Sequence, residues 1–259
     1  MNNRNTIAQI KAKKAGEKIT VLTAYDYATA QLLDGEVDVL LVGDSLSMVV
    51  HGLPSTTAAT MEMMILHTAA VARGSNQSLI VTDLPYGSIN TPQEALANAQ
   101  RLIASGAQAV KLEGAKIDVI EFLRKNNIEV MGHVGLLPQS VALYGGYKVQ
   151  GKTDESAEQI INDARALEKA GCFAIVIEAV PEKLASEITA AIKIPTIGIG
   201  ASPNCDGQVL VINDMLGMTD TQPKFVKTFA SLNKTIKKAA KDYAAEVKAK
   251  KFPGKDNCY

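Results

Sequence analysis

Acidic residues end the β-branched apolar runs of this chain, at Val42-Gly43-Asp44, Val81-Thr82-Asp83, Lys111-Leu112-Glu113 and Ile177-Glu178. Where parallel strands close into a barrel their C-terminal ends share one face, and the side chains carried there converge. Asp44, Asp83 and Glu113 gathered at such a rim suit Mg2+, which takes oxygen ligands and keeps several waters or substrate oxygens. Zinc fits less well, because only His133 is suitably placed and no Cys or His spacing resembles a zinc site. A single strand-end Asp can equally cap the next helix or turn, but four acidic strand ends together favour a functional site.

Lys111 and Glu113 alternate onto the same face of their run. A lysine among carboxylates stays protonated, which suits it to hold a substrate carboxylate or to stabilise negative charge; a Schiff base needs a neutral, desolvated amine. A buried Lys–Glu pair closing the rim is the structural alternative. His133, in Gly132-His133-Val134-Gly135, ends the fifth run, where an imidazole can hydrogen-bond a ketone or enolate oxygen or serve as a satisfied core group. His51 lies in a loop and His67 inside a helix, and both are expected to be structural. Glu178 follows the apolar Ile175-Val176-Ile177 and is the expected general base, with a capping role before Pro181 as the competing explanation.

Such convergence requires particular elements. Eight apolar runs read as strands, approximately Ile19 to Thr23, Val39 to Val42, Leu79 to Val81, Ala109 to Leu112, Val130 to His133, Phe173 to Ile177, Thr196 to Ile199 and Gln208 to Ile212. They lack clean alternation, as strands buried on both faces do. Helix signals fill the gaps at Tyr25 to Leu33, Thr60 to Ala72, Pro92 to Ala104, Lys116 to Lys125, Glu155 to Lys169 and Pro181 to Ile192. Thr91-Pro92 is an N-cap and N1 pair, while Ser105-Gly106 and Ala170-Gly171 are C-terminal stops. Alternation of this kind predicts α/β architecture with a parallel sheet. No linker or composition break interrupts it, so one domain is expected over residues 1–259. The ends read as helical additions, one near residues 5–15 capped by Asn5 or Thr6, the other from Pro223 to Lys250.

The length of 259 residues, 47% of them hydrophobic, accommodates a barrel core. With 27 basic against 27 acidic residues, no global field invites nucleic acid or an anionic membrane, and a small-molecule substrate is expected. The lysines of the C-terminal segment are interrupted by Asp242 and Glu246 and read as a solvated helix face. Residues 1–18 lack the apolar core of a secretory signal, and no run approaches the roughly 18 apolar residues of a membrane span. Cys172, Cys205 and Cys258 form neither a CxxC pair nor a disulfide framework, which fits a cytoplasmic protein with free thiols. Gly146 to Thr153 matches GxxxxGK[ST], yet the segment before it, Pro138 to Tyr144, reads as loop where a phosphate loop needs a strand. Gly198-Ile199-Gly200 fails the dinucleotide fingerprint, because Pro203 takes the third glycine position.

Several strings in order carry a resemblance: Thr23-Ala24-Tyr25-Asp26, Val42-Gly43-Asp44-Ser45, Gly132-His133-Val134-Gly135-Leu136, Pro138-Gln139-Ser140, Gly145-Gly146-Tyr147-Lys148-Val149-Gln150-Gly151 and Asp206-Gly207-Gln208. The chain resembles the ketopantoate hydroxymethyltransferase family through them, over almost its whole length to Pro223-Lys224-Phe225. The resemblance implies a single (β/α)8 TIM barrel and Mg2+-dependent transfer of a hydroxymethyl group from 5,10-methylenetetrahydrofolate to 3-methyl-2-oxobutanoate. The product would be 2-dehydropantoate, on the route to pantothenate. Carried over by motif, Asp44 and Asp83 hold Mg2+ with Glu113 at the same site. Asp44, Ser45, Asp83, Lys111 and His133 contact the oxo acid, and Glu178 is the proton acceptor. A cytoplasmic homo-oligomer, a homodecamer, is also implied. Ser47, Leu137 and Ser202 depart from the family pattern, and none is a proton-transfer or metal residue. The rival readings are another Mg2+-dependent 2-oxo-acid carbon–carbon lyase or phosphonomutase-like barrel, and a nucleotide-binding protein using residues 146–153.

Overall fold

The apolar runs form eight short parallel strands: β1 (Ile19–Thr23), β2 (Val39–Val42), β3 (Leu79–Asp83), β4 (Ala109–Lys111), β5 (Val130–Gly135), β6 (Ala174–Glu178), β7 (Thr196–Ile199) and β8 (Gly207–Leu210). They are seen in a computed structural model that describes residues 4–143, 145–219 and 222–259. The first three residues of the leading segment 1–18, and Tyr144 at the end of the loop 138–144, lie outside the described residues. The strands pair in chain order and β8 returns to β1, with Ile19 opposite Gly207, so the sheet is a closed (β/α)8 TIM barrel. Its eighth strand is shorter than the sequence suggests. β8 stops at Leu210, because Ile212 already starts a helix, and β7 reaches β8 through residues 200–206 without a helix.

The helices are α1 (Ile7–Ala12), α2 (Tyr27–Leu33), α3 (Leu46–Val49), α4 (Met61–Gly74), α5 (Pro92–Ala104), α6 (Ile117–Lys125), α7 (Asp154–Ala170), α8 (Glu182–Ala191), α9 (Ile212–Met215) and α10 (Leu232–Lys248). Their starts obey capping chemistry: Thr6, Thr60, Thr91 and Thr153 each accept from a backbone N–H three residues on. Each such cap stabilises its helix by about 1 kcal/mol. Among the described residues no helix is long and apolar enough to cross a membrane.

The chain divides into two compact units, Met1–Leu210 and Val211–Tyr259. The second holds α9 and α10. Its long helix begins at Leu232 rather than Pro223, because the N–H groups of Phe229 and Leu232 are taken by the carbonyls of Met215 and Leu216. The first unit holds the barrel. Ile19, Val21, Val39, Leu41, Leu79, Val81, Ala109, Met131, Ala174, Val176, Ile197 and Val209 form its core cluster, joined by Ile10 of α1 and by Phe173 just before β6. These positions recur every second residue along each strand, as an interior column must. Continuing the column one step towards the C-terminal rim reaches Asp83 from Val81, Lys111 from Ala109, His133 from Met131 and Glu178 from Val176.

The opposite rim is fastened by saturated carboxylates. Buried Asp206, just before β8, accepts from Lys14 Nζ at 2.8 Å, Ala15 N at 2.9 Å, and Thr196 N and Oγ1 at 2.8 and 3.0 Å. It thereby ties the starts of β1 and β7 to that of β8. Asp34 accepts from the backbone N–H groups of Asn76, Gln77 and Ser78 and from Ser75 Oγ, which outweigh its burial and hold it down to about 2. Removing a carboxylate from such a clamp strands several donors. Asp206→Ala is therefore expected to destabilise the protein by about 3–5 kcal/mol in urea unfolding while changing kcat less than about twofold at low temperature. A loss under about 1 kcal/mol would show that the clamp contributes little.

Candidate active site

Strand register brings the functional side chains together. Asp83 and Lys111 are cross-strand partners, as are His133 with Val176 and Gly135 with Glu178. Lys111 Nζ consequently donates to Asp83 Oδ1 at 2.8 Å, with both side chains buried. Asp83 Oδ2 accepts from the backbone N of Asp44 at 3.0 Å, which fixes the turn leaving β2. Asp44 Oδ2 accepts from Gln139 Nε2 at 2.8 Å. Glu113 Oε2 accepts from the backbone N of Gln139 at 3.0 Å, so one residue braces two carboxylates. Ser45 Oγ is paired with Tyr25 Oη at 2.8 Å.

His133 is placed differently. Its Nε2 is 3.4 Å from Glu178 Oε2 and its Nδ1 is 3.7 Å from Glu113 Oε1, yet neither ring nitrogen has a hydrogen-bond partner although both are buried. An unpartnered buried imidazole costs free energy unless a ligand completes it. Burial lowers its pKa, which favours the neutral ring, and a neutral ring donates through one nitrogen only.

The electrostatics follow from an imbalance of charge. Burial, and then the Asp83 charge, push Asp44 up to about 7. Burial pushes Glu113 up to about 9 despite the opposing Lys111. Burial also acts to lower Lys111, but Asp83, Glu113 and Asp44 outweigh it and hold its ammonium above the ordinary range. Four carboxylates thus face one fixed cation. A divalent cation answers that surplus, and the donors present are carboxylate oxygens, which suit a hard ion. No three His, Cys, Asp or Glu side chains among the described residues are grouped as a ready ligand set. Mg2+ does not need three: one or two carboxylates with substrate and water oxygens suffice, and Asp44 and Asp83 fit that requirement.

The sequence-predicted residues Asp44, Ser45, Asp83, Lys111, Glu113, His133 and Glu178 therefore share one rim. Gln139 and Tyr25 join them with roles that residue type and spacing do not reveal; their only signal was their place in the matched strings. His51 and His67 pair with each other, Nε2 to Nε2 at 3.0 Å, and His67 Nδ1 meets the Tyr25 carbonyl. Among the departures, Ser47 is buried and donates to or shares its Oγ with the carbonyls of Asp44 and Ser55 at 2.9 and 2.8 Å, steadying α3. The GxxxxGK[ST] spelling lacks its context: β5 ends at Gly135, a short 3-10 turn at Pro138–Ser140 intervenes, and Thr153 caps α7.

Glu113 yields a test of this electrostatics in metal-free protein. Its pKa is raised in the folded state, so its contribution to stability is fully present below the ordinary glutamate value and is lost as pH climbs through about 9. Glu113→Gln should melt higher than the unaltered protein at about pH 9, with the margin vanishing near pH 4. Thermal melts in EDTA across that range measure it; parallel curves for the two proteins would remove Glu113 as a raised group.

Comparison with known proteins places this chain among relatives. Residues 4–255 match the sequence model of ketopantoate hydroxymethyltransferase. The chain is 52% identical to 3-methyl-2-oxobutanoate hydroxymethyltransferase of Sphingopyxis alaskensis over 99% of this chain and 91% of that protein. It is 53% identical to the protein of the same name from a Ruegeria species, over 98% and 92% of the two chains. With the one from Caldicellulosiruptor saccharolyticus it shares 52% identity over all of both chains. Among solved structures, 2,3-dimethylmalate lyase superposes with a TM-score of 0.62 at 16% identity, covering 96% of this chain and 90% of that one. Phosphonopyruvate hydrolase gives 0.64 at 12%, covering 97% and 90%. Those two likenesses are of fold alone.

Proposed function

The chain belongs to the ketopantoate hydroxymethyltransferase family, and from that premise we propose a folate-dependent, Mg2+-assisted reaction at the acidic rim. It is an enzyme that transfers a hydroxymethyl group to 3-methyl-2-oxobutanoate in pantothenate biosynthesis. The donor in this reading is 5,10-methylenetetrahydrofolate and the product 2-dehydropantoate. Mg2+, held by Asp44 and Asp83 with Glu113 beside them, supplies Lewis-acid polarisation of the 2-oxo group when bound.

The chain's own residues do the rest. Lys111 and Ser45 receive the substrate carboxylate, the ammonium staying charged because its carboxylate neighbours hold it so. Glu178 accepts the C3 proton, and the electron pair of that C–H bond moves to the 2-oxo oxygen. His133 donates a hydrogen bond to that oxygen as its charge develops, a role open to it because both ring nitrogens lack partners. The nucleophilic C3 then bonds to the methylene carbon of the donor as the first of its two carbon–nitrogen bonds breaks, and water supplies the hydroxyl as the second breaks, the freed nitrogens taking up protons and tetrahydrofolate leaving. The observation that carries this reading is the approach of Glu178 to an unpartnered His133, at 3.4 Å, on strands that also present the Lys111–Asp83 pair.

Deuterium exchange from solvent into C3 of 3-methyl-2-oxobutanoate tests it without any donor present. Exchange should require Mg2+, and Glu178→Gln should slow it by about 10²–10⁴-fold, the range for a positioned base. Undiminished exchange in the variant would remove Glu178 as the base. Exchange that survives EDTA would argue against the metal.

A further inference from the structure

The acid–base residues account for the oxo acid and leave the one-carbon donor without a seat. The donor's methylene must come within bonding distance of the carbon that Glu178 deprotonates, so its ring system has to rest at the mouth directly above the carboxylates. Tyr147 lies on the loop that reaches this rim: the N–H of Gln150, three residues on, donates at 2.9 Å to the carbonyl of Ala179, next to Glu178. Tyr147 is raised by burial and then by Glu178, Asp44 and Glu113, three carboxylates contributed by three different strand ends. It is nevertheless 57% exposed, and its hydroxyl donates to the thioether of Met48, itself exposed, at 3.9 Å. Met48 lies on α3, one turn beyond Asp44. The Tyr147–Met48 contact therefore bridges the loop after β5 and the helix after β2.

The loop's backbone is built to bring the ring over. Gly145, Gly146 and Gly151 have φ of +63°, +116° and +74°, values that L side chains rarely adopt, so the segment between them turns sharply at both ends. Farther along, Gln150 and Gly151 line a cavity of about 210 Å3 that His133 also lines. The same short loop thus meets α3 through Tyr147 and a cavity beside His133 through Gln150. An oxygen-to-sulfur hydrogen bond of that length is weak, so a ligand can displace it.

We propose that Tyr147, backed by Met48, is the stacking platform for the planar pteridine ring of the one-carbon donor. This rests on the folate reading above. An exposed aromatic face beside an exposed thioether offers a flat, polarisable surface to a flat ring, and its place over the carboxylates sets the methylene above C3. The hydroxyl of Tyr147 is not required; the ring is.

Tyr147→Ala and Tyr147→Phe, assayed in the full-length enzyme, separate these possibilities. Alanine should raise KM for 5,10-methylenetetrahydrofolate by about tenfold or more, while KM for 3-methyl-2-oxobutanoate and the donor-free C3 exchange rate stay within about twofold. Phenylalanine should remain within about threefold of the unaltered enzyme on every measure. An unchanged donor KM in the alanine variant overturns the platform. So does a phenylalanine variant as impaired as alanine, which would assign the role to the hydroxyl, or a parallel fall in C3 exchange, which would place Tyr147 in the proton-transfer centre. Absence of C3 exchange in the unaltered protein would instead defeat the underlying reaction, and the platform with it.

Discussion

The ion pair between Lys111 and Asp83 is the interaction on which the rest of the site depends. Both groups are buried, at neighbouring register positions of β4 and β3, and each makes the other's burial tolerable. The pair does not bring the rim to neutrality. Asp44, Glu113 and Glu178 remain against the one ammonium, and two of them are pushed towards their protonated forms. A rim with one fixed cation and four acids carries a surplus of negative charge. The barrel makes this arrangement unavoidable, because parallel register carries every interior column to the same end.

The two rims show one residue type under opposite constraints. Asp34 and Asp206 at the N-terminal rim are saturated by backbone and side-chain donors, which hold both below the ordinary carboxylate range. Asp44 and Glu113 at the C-terminal rim have fewer donors than lone pairs and are raised. Unsatisfied polar groups are costly to bury, so the upper rim is a local source of instability that the lower rim and the apolar column must offset. His133 is the extreme case, with both nitrogens unpartnered in the middle of the sheet. Ligand binding completes such a group, which ties affinity to a defect of the ligand-free fold.

Much of this was legible in the residues. Strand positions follow from β-branched runs, and helix starts from Thr followed by a backbone N–H it can cap, so β1, β2, β7 and α5 fall where the pattern puts them. The acidic strand ends were visible because each closes a β-branched apolar run, and the ends of parallel barrel strands share one rim. What periodicity misses is loop chemistry. Gln139 reaches Asp44 and Glu113 from an irregular turn, and nothing in its neighbours' hydropathy marks it. The N-terminal limit of α10 was misplaced for a related reason: residues 223–231 have helix-like composition, but the N–H of Phe229 is claimed by Met215 and that of Leu232 by Leu216. A competing long-range hydrogen bond overrides local propensity, and it leaves no local trace.

The position of Glu178 depends on a side chain that is missing. Gly135 ends β5 beside Glu178 with φ +93°, and a Cβ there would collide with the Glu178 carbonyl. Leu136 N donates to that same carbonyl at 2.9 Å, so the end of β6 is held by the residue that follows the glycine. Any other residue at 135 has to push the end of β6 outward or rotate the strand, and either movement takes Glu178 away from His133. Register alone brings two strand ends level. The bare glycine lets them approach closely enough to bring the His133 imidazole on one within 3.4 Å of the Glu178 carboxylate on the other.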